Sequence, residues 1–218
     1  MQTQEVREYY DILTSRRAAL AAKRSFDVLA SGMLLLLLSP AVAGLSAAVK
    51  LDSEGPVFFR QERITQYGQS FRIHKFRSMV SNAEKLGTSV TVSNDARITK
   101  VGAFLRRYHL DEIPQLLDIL SGDMSFVGTR PEVPKYVRRY SPEMMATLLL
   151  PAGVTSSASI RYKDEMEEIP ADVDADEYYI QTILPDKMRW NLEDIRSFGC
   201  ARDIKLMIMT VWEVLTGK

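Results

Sequence analysis

Between Val28 and Val49 the chain carries 22 consecutive residues without a charge, with Ser39-Pro40 in the middle of them. As one straight helix the run would rise roughly 33 Å, enough to cross a hydrocarbon core of about 30 Å. Pro40 opposes a plain spanning helix, because it lacks an N–H and its ring presses on the carbonyl of Leu36. Ser39 offers a hydroxyl to the backbone freed there, which makes a break at membrane depth tolerable. The flanks point the same way. Lys23-Arg24 precede the run and Lys50 follows it; basic residues favour the cytoplasmic side, so both ends prefer one leaflet and a re-entrant, kinked helix is expected. A fully spanning helix is the alternative. Two dozen residues precede the run and no small-residue cleavage site follows, so it reads as an anchor rather than a removable signal.

The expected organisation is therefore a polar, partly helical extension (1–24), a membrane helix (25–50) and a cytosolic domain (51–218). The fold class is α+β and mostly helical, with a small β-hairpin and interfacial amphipathic helices. Lys+Arg and Asp+Glu both number 28, so no global field points to nucleic acid. The balance hides an asymmetry: residues 164–177, DEMEEIPADVDADE, hold eight acids and no base, leaving +8 on the rest. A basic body suits anionic lipid or a pyrophosphate substrate, and the acidic segment is either a solvated loop or a docking surface. Cys200, the one cysteine, excludes an internal disulfide and fits a reducing compartment.

Past Lys50, Gly55-Pro56 marks a turn, Val57 to Phe59 has strand composition, and Tyr67-Gly68-Gln69 turns the chain again. In FRIHKFRSM (71–79), Phe71, Ile73, Lys75 and Arg77 alternate with His74, Phe76 and Ser78. A hairpin with Lys75 and Arg77 on one face is expected. Asn94-Asp95 read as the cap of a helix over about 96–108, and Pro114 opens a second over about 113–120, ending at Ser121-Gly122. Residues 131–150 are expected to be helical and 151–162 a Gly/Ser-rich connection. The apolar segment 201–215, bearing Trp212, fits either a core helix or one in the membrane interface.

The chemistry concentrates in residues 105–131, LRRYHLDEIPQLLDILSGDMSFVGTRP. The adjacent carboxylates Asp111 and Glu112 fall at the junction of the two expected helices, with Arg106, Arg107 and Arg130 around them. Such a cluster can carry a nucleophile and a divalent cation while guanidinium groups grip phosphate oxygens. An isolated Asp-Glu dipeptide is more often a helix cap; the crowding of bases, Gly122 and Gly128 changes that balance, glycines of this density often admitting a phosphate to the backbone. His74 and His109 are the only histidines and do not suggest zinc. The glycine-rich nucleotide loops and the serine-hydrolase elbow are absent.

These pieces in order, KRSFDVLASGMLLLLLSP, GPVFFRQER, HKFRSM, DARITKVGAFLRR, LDEIPQL and GDMSFVGTRP, resemble the bacterial sugar transferases, the monotopic polyprenol-phosphate phosphoglycosyl transferases. The resemblance runs from about Lys23 to Leu150 and more weakly beyond, in the manner of the short single-domain branch. It implies a re-entrant helix broken at Ser39-Pro40, held at the cytoplasmic face of the bacterial inner membrane. It implies Asp111 as nucleophile and ligand to Mg²⁺ (Mn²⁺ as a substitute), with Glu112 as its catalytic partner, sharing the metal and handling a proton. It implies phosphate contacts from Arg106 and Arg130, and a site lined by Lys75 and Arg77. The implied partners are a UDP-sugar, a polyprenol phosphate such as undecaprenyl phosphate, and membrane lipid, with a homodimer and downstream glycosyltransferases as protein partners. The implied reaction passes sugar 1-phosphate through Asp111 to the lipid and releases UMP. A non-catalytic membrane anchor for glycan assembly is the rival. The chain departs from the family pattern at Thr129 (usually Pro), Asp118 (usually Asn) and Thr65 (usually Gly), none in the dyad. The sequence names neither the sugar nor the pathway.

Overall fold

A computed structural model describes residues 3–81, 95–162, 169–170 and 173–216. Helix α1 (Gln4–Ser15) repeats Val6, Tyr9 and Leu13 at helical spacing and buries that face against Ala146, Leu149, Leu192, Ile195 and Phe198. Each fully buried side chain of this kind contributes about 1.5–3 kcal/mol. The Tyr9 hydroxyl donates to Glu143 Oε1 at 2.6 Å.

Helix α2 runs for 36 residues, Arg17–Asp52, with Pro40 inside it. The helix is not interrupted at Ser39-Pro40. The Leu36 carbonyl, which Pro40 cannot serve, accepts the Ser39 hydroxyl at 2.8 Å, so the missing donor is replaced locally. Asp27, Ser31 and Val49 are buried, Leu34, Leu35 and Leu38 pack on one core cluster, and Val42 and Leu45 on another. These steps of three and four residues place one stripe of α2 against the globular part. The opposite stripe bares Leu29, Met33, Leu36 and Leu37, each 66–79% exposed.

Both ends of α2 are tied to the same body. At one end, Arg24 donates to the carbonyls of Ile119 (2.7 Å) and Leu120 (2.9 Å), and Asp27 accepts the Phe126 N–H at 3.2 Å. At the other, Asp52 accepts the Val101 N–H at 2.9 Å, and Arg77 donates to the carbonyl (2.6 Å) and hydroxyl (3.0 Å) of Ser53.

Strands β1 (Phe58–Ile64) and β2 (Ser70–Phe76) form the expected hairpin, antiparallel from Phe58 opposite Phe76 to Ile64 opposite Ser70. Tyr67 and Gly68, both at positive φ, turn the chain between them. Helix α3 is Lys100–Arg107, later than expected, because the Thr99 hydroxyl caps it by accepting the Gly102 N–H. Asp95 binds Arg97 instead, and Asn94 lies outside the described residues. Helix α4 (Gln115–Ser121) ends at Gly122, whose φ of 100° suits the left-handed cap.

Strand β3 (Met124–Val127) pairs in parallel with β4 (Ala152–Thr155). The second half thus differs from the sequence reading. Residues 131–150 give only the short helix α5 (Pro134–Val137) and 3₁₀ turns over Met144–Leu149. The stretch read as a connection supplies β4 and helix α6 (Ser157–Arg161). A parallel partner distant in sequence leaves no local pattern, and a strand buried on both faces does not alternate. Gly128 and Gly153 meet across this pair, a Cβ on Gly153 falling 2.1 Å from Gly128 N. Gly128 thus serves strand packing, and Gly122 ends a helix. Of the acidic segment, Asp174 caps α7 (Ala175–Tyr178) and Asp176 binds Lys135 and Tyr136; most of the remainder is outside the described residues. A π-helical turn (Tyr179–Ile183) leads into α8 (Leu184–Arg196). Helix α9 (Cys200–Thr216) buries Leu206 but exposes Ile204, Ile208, Val211 and Trp212.

Candidate active site

Between α3 and α4 the chain must reverse within a few residues. His109 does this with a left-handed backbone (φ 54°), and Leu110–Glu112 form a single 3₁₀ turn. That turn presents Asp111 and Glu112 side by side beneath β2.

Glu112 is held by two cations. Arg130 Nη2 donates to Oε1 at 2.5 Å and Nη1 to Oε2 at 3.4 Å, while Lys75 Nζ donates to Oε1 at 2.7 Å. Burial alone would raise the Glu112 pKa, but Arg130 and Lys75 outweigh it and hold the carboxyl well below the usual range. Burial pushes Lys75 down from the ordinary lysine value, and Glu112 only partly offsets this. One anion shared by two cations satisfies itself more fully than either of them.

Asp111 is the opposite case. Among the described residues its carboxylate makes no side-chain hydrogen bond. Burial pushes its pKa up; Lys75 pulls it down, Glu112 pushes it up again, and Arg106 and Arg130 pull it down. The result is a half-buried carboxylate without a hydrogen-bonding side chain, in a cationic surround, which suits a nucleophile toward phosphorus. Arg106 acts on it through charge from α3 rather than by a hydrogen bond.

A divalent cation fits this donor set. No group of three or more metal-ligating side chains occurs among the described residues, but Mg²⁺ keeps several waters and takes only one or two carboxylates plus substrate phosphates. Asp111, with its oxygens uncommitted, is the group that could accept it, with Glu112 adjacent.

Arg77 is the sequence-predicted residue that the fold removes from the site. It lies beyond the end of β2, is 5% exposed, and caps the C-terminus of α2 through Val49 O and Ser53. The strand ends at Phe76, so the alternation that joined it to Lys75 does not extend so far. Ser39 and Pro40 lie on the exposed side of α2.

Sequence reasoning missed the groups that hold these side chains. Arg63 donates to the Pro131 carbonyl at 3.0 Å and Ile64 N–H to the Glu132 carbonyl at 3.0 Å, which fixes the Arg130 segment to β1. Glu132 accepts the Tyr179 hydroxyl at 2.5 Å, and Tyr179 accepts Lys187 Nζ at 3.0 Å, all buried. Thr65 is extended (φ −123°) and so needs no glycine; its hydroxyl donates to Asp123 O and accepts the Ala152 N–H. Asp118 accepts both the His74 N–H (2.9 Å) and the His74 ring Nδ1 (2.6 Å). The departures at Thr65 and Asp118 were the only signals of this support.

A family model described as "Bacterial sugar transferase" matches residues 18–217. The chain is similar to the UDP-N-acetylgalactosamine-undecaprenyl-phosphate N-acetylgalactosaminephosphotransferase of Aeromonas hydrophila, at 32% identity over 89% of this chain and 44% of the relative. It is also similar to the UDP-glucose:undecaprenyl-phosphate glucose-1-phosphate transferase of Escherichia coli K12, at 35% identity over 90% of this chain and 40% of the relative. A third similarity is to the putative undecaprenyl-phosphate N-acetylgalactosaminyl 1-phosphate transferase of Bacillus subtilis, at 37% identity over 64% of this chain and 79% of the relative. The chain thus spans less than half the length of the first two.

Proposed function

Because the chain belongs to the bacterial sugar transferase family, we propose that it transfers a sugar 1-phosphate from a UDP-sugar to undecaprenyl phosphate. The observation that carries this reading is the division of labour in the dyad: Glu112 is locked between Arg130 and Lys75 while Asp111, half-buried, has no side-chain hydrogen bond among the described residues.

An Asp111 oxygen attacks the β-phosphorus of the nucleotide sugar. The bond from that phosphorus to the bridging oxygen breaks, UMP leaves with the electron pair, and the sugar phosphate remains on Asp111 as an acyl phosphate. A phosphate oxygen of the lipid then attacks the same phosphorus, freeing the Asp111 carboxylate and leaving a lipid diphosphate sugar. Dividing the reaction avoids direct attack of one anion on another. Asp111, with Glu112 beside it, would hold Mg²⁺, which when bound would supply positive charge opposite the phosphate oxygens. Arg130, Lys75 and Arg106 add fixed positive charge around the transferring group.

The enzyme works as a monotopic protein at the cytoplasmic face of the inner membrane. Support comes from α2, whose two ends bind one body while its outer stripe bares leucine and methionine. A helix with its ends on opposite sides of a bilayer could not make both sets of contacts to one domain. The exposed Ile204, Ile208, Val211 and Trp212 of α9 extend the lipid contact. Homodimerisation and hand-over to downstream glycosyltransferases complete the proposed setting.

The test is UMP release from a panel of UDP-sugars by the detergent- or nanodisc-held protein with Mg²⁺ and undecaprenyl phosphate. Release with one sugar, abolished by EDTA and by Asp111→Asn, is the expected result. No release from a folded protein across the panel would favour a non-catalytic anchor.

A further inference from the structure

Two cross-links join β2 to the segment that carries the dyad. Lys75 reaches Glu112 at 2.7 Å. One residue earlier, His74 gives Asp118 both its backbone N–H (2.9 Å) and its ring Nδ1 (2.6 Å). Asp118 is 2% exposed and lies on α4, which starts three residues after Glu112. A carboxylate withdrawn from water this far is tolerable only with partners for both oxygens, and His74 supplies both. Successive strand residues face opposite ways, so His74 is turned away from Glu112 and cannot itself touch the reacting phosphate. What it can do is fix where β2 sits along α4.

We propose that the Asp118–His74 pair is a positioning element that sets the register of β2 against α4 and thereby keeps Lys75 on Glu112. The aspartate, standing where the family pattern usually has asparagine, adds a charged acceptor for the imidazole to the amide's ordinary ability to accept the backbone N–H. Removing the pair frees β2 to shift, and displacements of about 1 Å at a supporting shell are enough to lower turnover by one to two orders of magnitude.

The proposal uses the transferase reading for one of its two measurements. The first is a double-mutant cycle on UMP release with Asp118→Leu, Lys75→Met and the double variant. If Asp118 acts through Lys75, Asp118→Leu alone lowers kcat about tenfold or more with the UDP-sugar KM changed less than about threefold, and costs less than about twofold further on Lys75→Met. Asp118→Asn, which keeps the acceptor for the His74 N–H, recovers most of the loss and guards against a variant that fails to fold. The second measurement needs no activity: acetylation of Lys75 by acetic anhydride, read by mass spectrometry. Lys75 should be protected in the wild type and several-fold more reactive in Asp118→Leu, with the other lysines unchanged. Equal losses in both backgrounds, or Lys75 labelling that does not change, would overturn the proposal. A wild-type protein that releases no UMP would count against the transferase reading alone, and the labelling result would still decide this one.

Discussion

Replacing Arg130 by Met tests the electrostatic account of the dyad, because among the described residues its ion-pair partner is Glu112. The Arg130 side chain is 39% exposed and Glu112 only 13%, so removing the guanidinium regains little desolvation energy for itself and leaves a buried carboxylate with Lys75 alone. Of the two contacts, the one at 2.5 Å is a strong charge-assisted hydrogen bond and the one at 3.4 Å is marginal. A hydrogen bond to a charged group contributes about 1.5–3 kcal/mol, and partial exposure of the arginine discounts this to about 1–2 kcal/mol. For a chain of this size that is a fall in apparent Tm of about 2–8 °C at pH 7. The pH dependence is the sharper test. Glu112 has a folded pKa below its ordinary value of 4.5, so the stability it contributes is fully present above that value and is lost as pH falls through the folded pKa. The gap between wild type and Arg130→Met should therefore be widest near neutrality and close progressively below pH 4.5. Thermal melts in detergent, monitored by tryptophan fluorescence from pH 7 down to the acid limit of solubility, read it directly. Co-melting at pH 7, or a gap that stays constant in acid, would refute the reasoning.

Four other outcomes are expected. Asp111 has a raised pKa, so its ionised form costs the fold stability as pH rises through that value; Asp111→Asn should abolish UMP release yet raise the apparent Tm at pH 7 by about 1–3 °C. The same shift puts the acid limb of kcat/KM above the ordinary aspartate value of 3.8, and Arg106→Met, by removing a cation that opposes the rise, should move that limb to higher pH. Arg77→Met should destabilise by about 1–3 kcal/mol through loss of the α2 cap while leaving the UDP-sugar KM within about twofold of wild type, because Arg77 binds Val49 and Ser53 rather than the dyad. In a Cys200→Ser background, Glu5→Cys and Arg60→Cys should react with an impermeant maleimide from the same side of sealed vesicles. Labelling from opposite sides would sink the monotopic arrangement.

Local sequence was enough to identify the parts that local chemistry builds. The uncharged run 28–49, long enough to cross a hydrocarbon core as one helix, pointed to a helix in contact with lipid or core, and the structure has it inside α2. The Asp111-Glu112 pair, bracketed by arginines and by Pro114, announced a junction between two helices, and the structure places it in one 3₁₀ turn. Arg130 stood out by its charge close to the pair in sequence, whereas Lys75 came to the site only through the family resemblance; the fold brings both to Glu112. Tertiary structure decided the rest. Arg77 shares its strand pattern with Lys75 in sequence, but β2 ends one residue too early and α2 needs a cap, so burial takes it to Ser53. The β3–β4 pair joins residues about 28 apart in a register that no local period encodes. Above all, the sequence shows that α2 is apolar but not which stripe faces what. That follows only once Arg24 and Asp27 at one end, and Asp52 and Ser53 at the other, are hydrogen-bonded to a single body. Such contacts depend on distances between chain segments, which hydrophobic periodicity does not contain.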